Sequence, residues 1–305
     1  MGTLMIIGRI LLAGLAGALV RLGGQLLIPA SEQTVLGPGR FGEGGVMLLL
    51  FTLYAWMGYS VLAGIFLLVR ERISGSRLWQ GLKYGFSLTA VWVVYALEPL
   101  PHLTAMDHLY HAAAGGLALM AMGLAVAFLL GFEINEIRYY RTIFHIIPTI
   151  TIAVFFFVGR VILFEGLQIY SSYLERPVGA SFWAAGAGFT VAWAMNWYHN
   201  KRPMHSRLLK ALFLGVVMFG ANVMFMHFFT PIVYEADLAD LFVRAGVDGL
   251  AVTMAALLYR PNGDAEDAVI HVPERYYPGD ESGMESDAGA ESSDPAIPES
   301  EATDS

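Results

Sequence analysis

Near the end of the apolar part of the chain, Asp237, Asp240, Arg244 and Asp248 follow one another at steps of three, four and four. On an α-helix these steps fall on one face, and Asp240 four residues ahead of Arg244 is the favourable order for an ion pair. A charged side chain at the centre of a bilayer costs at least about 2.5–3.5 kcal/mol on insertion scales, so such groups face protein or water. The stripe therefore has three readings: a self-neutralised seam in which Asp240 and Asp248 flank Arg244, a site for a polar or ionic ligand, or an interface with another subunit. Earlier in the chain, Thr104, Asp107, His111 and Gly115 share one helical face, with His108 beside it. Arg21 lies on a face made with Gly14, Gly17 and Gly24, where small residues let a neighbouring helix approach and keep the cation out of lipid. For Arg21, an ion pair with Asp107 or Glu98 and ligand binding are both open.

The other motifs are weaker. His108 and His111 form H-x-x-H, which lacks the glutamate and the i,i+4 histidines of a zinc protease. His111 and His227 offer two axial ligands to a haem in a less favoured reading. Ser60, in Gly-Tyr-Ser-Val-Leu, lacks a nucleophile-elbow pattern. No catalytic residue, metal ligand or cofactor is predicted. The absence of cysteine excludes disulfides, thiolate metal sites and cysteine nucleophiles.

The elements that must position these residues are membrane spans. With 56% hydrophobic and 14% charged residues, the 305-residue chain does not have water as its main solvent. Crossing the hydrocarbon takes roughly 20 apolar residues. Eight segments qualify, at 4–28, 45–69, 80–100, 107–131, 142–170, 178–198, 208–230 and 236–259. The first is too long for a signal-peptide core and is read as a retained helix. Basic residues cluster in the loops after spans 2, 4 and 6, at Arg70, Arg72 and Arg77, at Arg138 and Arg141, and at Lys201, Arg202, Arg207 and Lys210. By the positive-inside rule these loops, and both termini, are cytoplasmic.

The two halves, 1–131 and 132–260, read as copies. Arg77-Leu78 heads span 3 as Arg207-Leu208 heads span 7; Glu98-Pro99 matches Thr230-Pro231, Asp107 matches Asp240, Gly116-Leu117 matches Gly249-Leu250, and Arg21 matches Arg160. Tyr95 then stands where His227 does. Four spans per copy is an even number, so the copies share one orientation about an axis along the membrane normal. At about 1.5 Å per residue, Arg21 and Arg160 lie roughly 10–15 Å deep from the outer side, near His111 and Arg244 respectively. The expectation is an all-α membrane protein of two parallel four-helix repeats with two outward polar pockets.

The segment 261–305 holds 13 of the 26 acidic residues and only Arg275 among the basic ones, a composition unable to bury a core. It reads as an acidic, disordered cytoplasmic tail able to contact a protein partner. The membrane part is mildly basic, and nothing points to nucleic acid.

Gly58-Tyr59-Ser60-Val61-Leu62-Ala63, Arg77-Leu78-Trp79-Gln80-Gly81, and Ala18-Leu19-Val20-Arg21 followed by Leu27-Ile28-Pro29 resemble the YagU family of bacterial inner-membrane proteins over residues 5–130. The second half keeps the late arginine and terminal proline but has Leu-Leu-Lys-Ala in place of Leu-Trp-Gln-Gly, as a diverged copy. The resemblance implies four-helix units and the inner membrane. It implies no reaction. The expected function is thus a transporter-like or ligand- and proton-binding bundle, with a membrane anchor or partner subunit as the alternative and an integral membrane enzyme or haem carrier behind both.

Overall fold

The computed structural model describes residues 2–29, 35–41, 45–131, 146–199, 204 and 206–258. Eight long helices follow in order: α1 (Thr3–Leu27), α2 (Val46–Phe66), α3 (Arg77–Ala96), α4 (Ala105–Leu130), α5 (Ile146–Gly166), α6 (Pro177–His199), α7 (Arg207–Val233) and α8 (Leu238–Leu258). No strand occurs among the described residues, only an isolated bridge between Pro38 and Tyr234. The acidic segment 261–305 and the basic residues Arg138, Arg141, Lys201 and Arg202 lie outside the described residues.

The burial pattern is that of a bundle in lipid. On α1 the large side chains Leu11, Leu12, Leu19 and Leu26 point outward, while Ala13, Gly14, Gly17, Ala18 and Arg21 are buried. On α6, Phe182 and Phe189 face out while Ala180, Ala184, Ala187 and Gly188 face in. Hydrocarbon outside gives no drive to bury leucine, so close packing of small residues holds such helices together. Gly14 shows the tolerance: a Cβ there would stand 2.6 Å from the Ser60 amide nitrogen of α2. Seven of the eight helices are long and apolar enough to cross a membrane, and the chain is an all-α, multi-pass membrane protein.

The exception by composition is α3, whose polar groups are met from within the protein. Lys83 Nζ donates to the Ser74 carbonyl at 2.7 Å, Gln80 Nε2 to the Gly75 carbonyl at 3.1 Å, and the Tyr84 hydroxyl to the Leu62 carbonyl at 2.6 Å. Packed on α4 and α6, α3 turns these polar groups to protein and Leu78, Trp79 and Phe86 outward.

α1 packs on α2 and α4, and α3 on α4; the same order recurs as α5 on α6 and α8, and α7 on α8. The groups meet through α3 against α6 and α2 against α7. One face of the bundle is basic. Arg9 and Arg70 donate to the Leu129 and Leu130 carbonyls at 3.0 and 2.9 Å, capping the last turn of α4 where helix carbonyls lack internal partners. The opposite face carries residues 97–104 and 234–237, with 36–39 running alongside the latter through bonds from Gly39 N to Val233 O and from Glu235 N to Gly37 O.

Two helices depart from α geometry. In α5, Ile162–Gly166 forms a π turn, after which Gln168 adopts a left-handed φ of 51° and turns the chain so that Ile169 is buried. In α7, Phe213–Gly220 is π-helical. Such wide turns often accompany functional sites.

Candidate functional site

Four buried charges form one connected network. Glu98 sits just beyond α3, Arg160 in the last α-helical turn of α5, and Arg244 and Asp248 one turn apart on α8. Arg160 Nη1 donates to Glu98 Oε1 at 3.0 Å and Nη2 to Asp248 Oδ2 at 2.5 Å. Arg244 Nη1 donates to the same Glu98 Oε1 at 2.6 Å, and its Nη2 to the Tyr170 carbonyl. The Tyr95 hydroxyl completes the Asp248 end at 2.8 Å. Arg160 and Asp248 are each fully buried, and the Arg160 guanidinium carbon lies 4.8 Å from the Trp183 ring and 5.2 Å from the Tyr95 ring. Two cations and two anions cancel. Removing one member of such a network leaves an uncompensated buried charge, which typically costs about 3–5 kcal/mol.

This pairing differs from that expected along α8 alone. Asp248 serves Arg160 and not Arg244, because helical side chains lean toward the N-terminus and Arg244 therefore reaches away from Asp248, toward Glu98 and Tyr170. Asp240 accepts from the Tyr170 amide at 3.2 Å, and Asp237 from the Ala239 amide at 2.8 Å near the start of α8.

In the first half the expected partners of Arg21 are engaged elsewhere. Asp107 closes a capping box with Thr104: its carboxylate accepts from the Thr104 amide at 2.9 Å, and its own amide donates to Thr104 Oγ1 at 3.2 Å. Orphan amides of the first turn of α4 claim this acid. Glu98 crosses to the second half, and His108 donates from Nδ1 to the Ala96 carbonyl at 2.7 Å. Arg21 is 4% exposed, and its Nε and Nη1 have no hydrogen-bond partner. Its guanidinium carbon stands 5.5 Å from the Phe51 ring and 5.3 Å from the Phe229 ring. Rings stabilise a cation by about 0.5–2 kcal/mol, well short of a carboxylate in the same place. Gly14 and Gly17 of the Arg21 face lie against Ser60 and Tyr59 of α2, and Gly24 against Ala114 of α4.

Arg21 and Arg244 line one cavity of about 390 Å³ at the face away from the basic loops. Two separate pockets were the expectation from the repeat; the halves instead share this space, walled by Phe51, Trp92, Met226 and Phe229, with His111 and His227 inside and Glu235, Asp237 and Asp240 toward solvent. The volume falls in the range of small-molecule sites. No protein family, curated protein or solved structure matches the chain. The chemistry of the cavity is thus read from its own residues.

His227 is buried, with both ring nitrogens unpartnered, against the Tyr95 ring at 5.7 Å. Among the described residues no group of three or more His, Asp or Glu side chains is arranged to hold a metal ion. At the mouth, His102 Nδ1 and the Tyr170 hydroxyl share a 3.0 Å hydrogen bond. Burial first, then the neighbouring His108 and Arg244, hold the His102 imidazolium down to a pKa of about 4. It is neutral at physiological pH. Tyr95, Tyr170, His102 and Trp183 enter the site without having been singled out for it. Only Tyr95 carried a signal, its position opposite His227.

Proposed function

We propose that the protein is a transporter-like, ligand-binding bundle of the bacterial inner membrane, with both termini cytoplasmic and a cavity that opens outward to hold a small polar or ionic solute. The observation that carries this reading is Arg21: a buried guanidinium with free donors, lining a cavity of binding-site size. A purely structural cation has its carboxylate supplied by the protein, as Arg160 does. Orientation rests on the basic loops, and the YagU-like resemblance of residues 5–130 supports the same membrane.

The recurrent order of helix packing supports two four-helix copies. From Arg77 to Tyr95 and from Arg207 to His227 the second copy is two residues longer, and the π-helical Phe213–Gly220 lies in that interval to take up the excess. Under this match Arg160 keeps Glu98 and Asp248, whereas the positions facing Arg21 are Thr230 and Gly115.

Because the chain has no cysteine, single cysteines report access directly. Thr230→Cys, lining the cavity, is expected to react with a membrane-impermeant maleimide in intact cells, and Ser76→Cys at the head of α3 only after permeabilisation. A Thr230→Cys that labels only in detergent overturns the open cavity and favours the partner-subunit reading; labelling of Ser76→Cys from outside reverses the topology.

A further inference from the structure

The two arginines differ in what stands in front of them. In front of Arg160 are a glutamate and an aspartate at 3.0 and 2.5 Å. For Arg21, the matching positions hold Thr230, which lines the cavity with it, and Gly115, whose Cβ space is occupied by the Trp92 indole, 1.8 Å away. The protein therefore leaves Arg21 without the anion it gives Arg160, while Glu98 and Arg244 of the paired network line the same cavity. Beyond Arg21 the lining sets Phe51, Trp92 and Phe229 beside Glu98, His111 and Arg244, and the outer edge carries three acids. Asp240 and Asp237 accept only backbone amides, and Glu235 is exposed.

We infer that the cavity takes a small amphiphilic carboxylate, with its carboxylate on the edge of the Arg21 guanidinium that lines the cavity, in the role Glu98 has before Arg160. The inference rests on the proposed ligand-binding reading and names the ligand class. Guanidinium and carboxylate match in charge and geometry. His227 lines the same cavity with both ring nitrogens buried. The hydrocarbon body lies along Phe51, Trp92 and Phe229. The rim of Glu235, Asp237 and Asp240 repels a second negative charge and favours a cationic nitrogen at the far end, so a zwitterion binds better than a simple fatty acid and a dicarboxylate worse.

The test is calorimetric titration of the full chain in nanodiscs with hexanoate, 6-aminohexanoate, adipate and hexylammonium, with four- and eight-carbon homologues of each. Expected is tightest binding by an amino acid of the series, at least tenfold weaker binding by the matching dicarboxylate, and none by the alkylammonium. Arg21→Met should abolish binding and Arg21→Lys retain part of it. The discriminating variant is Thr230→Glu, which supplies the omitted carboxylate: it should raise the melting temperature and lose hexanoate binding together. Asp237→Asn with Glu235→Gln should erase the preference for the amino acid over hexanoate. Alkylammonium binding equal to hexanoate, undiminished binding in Arg21→Met or in a stabilised Thr230→Glu, or no binding by any carboxylate of the series overturns the inference. If Thr230→Cys labels from outside while no carboxylate binds, the ligand class falls and the open cavity stands. If it does not label, the binding reading itself falls.

Discussion

Under the proposed two-copy arrangement Arg160 of α5 and Arg21 of α1 match; both are buried against aromatic rings, yet only Arg160 is paired with carboxylates. A membrane interior tolerates a guanidinium when protein supplies the counter-charge, and the cost of omitting it is large enough that omission needs a reason. The pair thus separates two uses of the same side chain. Arg160 locks helices together through Glu98 and Asp248, while Arg21 lines the cavity with its Nε and Nη1 unpartnered.

The largest expected effect comes from breaking the locked side. Arg160→Met leaves Glu98 and Asp248 to share Arg244, and should lower unfolding free energy by about 3–5 kcal/mol, measured by thermal or denaturant unfolding in nonionic detergent. Adding Asp248→Leu leaves a balanced Glu98–Arg244 pair and should recover at least half of that loss. A double variant no better than the single one would show that charge balance is not what the network provides. Next, Tyr95→Phe removes the neutral donor to Asp248 without altering ring stacking on Arg160. A loss of about 1.5–3 kcal/mol is expected, as for hydrogen bonds to charged groups. A neutral result would place the weight of the network on the arginines alone.

A smaller effect belongs to the mouth between the two sites. His102 has a folded pKa of about 4, below the unfolded value near 6.5, so the unfolded chain binds more protons in between. Its stabilising contribution is complete above about pH 6.5 and falls away as pH drops toward 4. From pH 8 to 6 the change should be a few tenths of a kcal/mol after allowance for solvent screening. His102→Gln should flatten that part of the stability profile; an unchanged slope would assign it to other groups. Smallest is Arg21→Met, which strands no carboxylate and gives up only ring contacts, so its stability should stay within about 1 kcal/mol of the parent. If it were as damaging as Arg160→Met, the two arginines would have the same job and the comparison would collapse.

Much of the framework was legible because the physics is local. Apolar length locates the spans, and α6 at Pro177–His199 lies within a residue of the expected 178–198. α3 ends at Ala96, ahead of the expected 100, since Glu98 and Pro99 already belong to the turn. Arg21, Arg160, Arg244 and Asp248 stood out as charges in apolar surroundings. Which acid meets which arginine was not legible, because pairing depends on how helices distant in sequence are rotated against one another. The Thr104-x-x-Asp107 spacing was a readable cap that competed with Arg21 for the same carboxylate. The Tyr170 carbonyl leaves no trace in sequence at all.

Glu98 also has a history in time. It is made 62 residues before Arg160 and 146 before Arg244. At about 5–20 residues per second, on the order of 7–30 s separate its synthesis from that of its second partner. Until Arg160 is made, on the order of 3–12 s at that rate, the nascent first half carries a carboxylate destined for burial with neither arginine yet present. The loop bearing Glu98 must stay at the water boundary until α5 and α8 arrive, which makes assembly of the bundle a directional event, closed by its last helix.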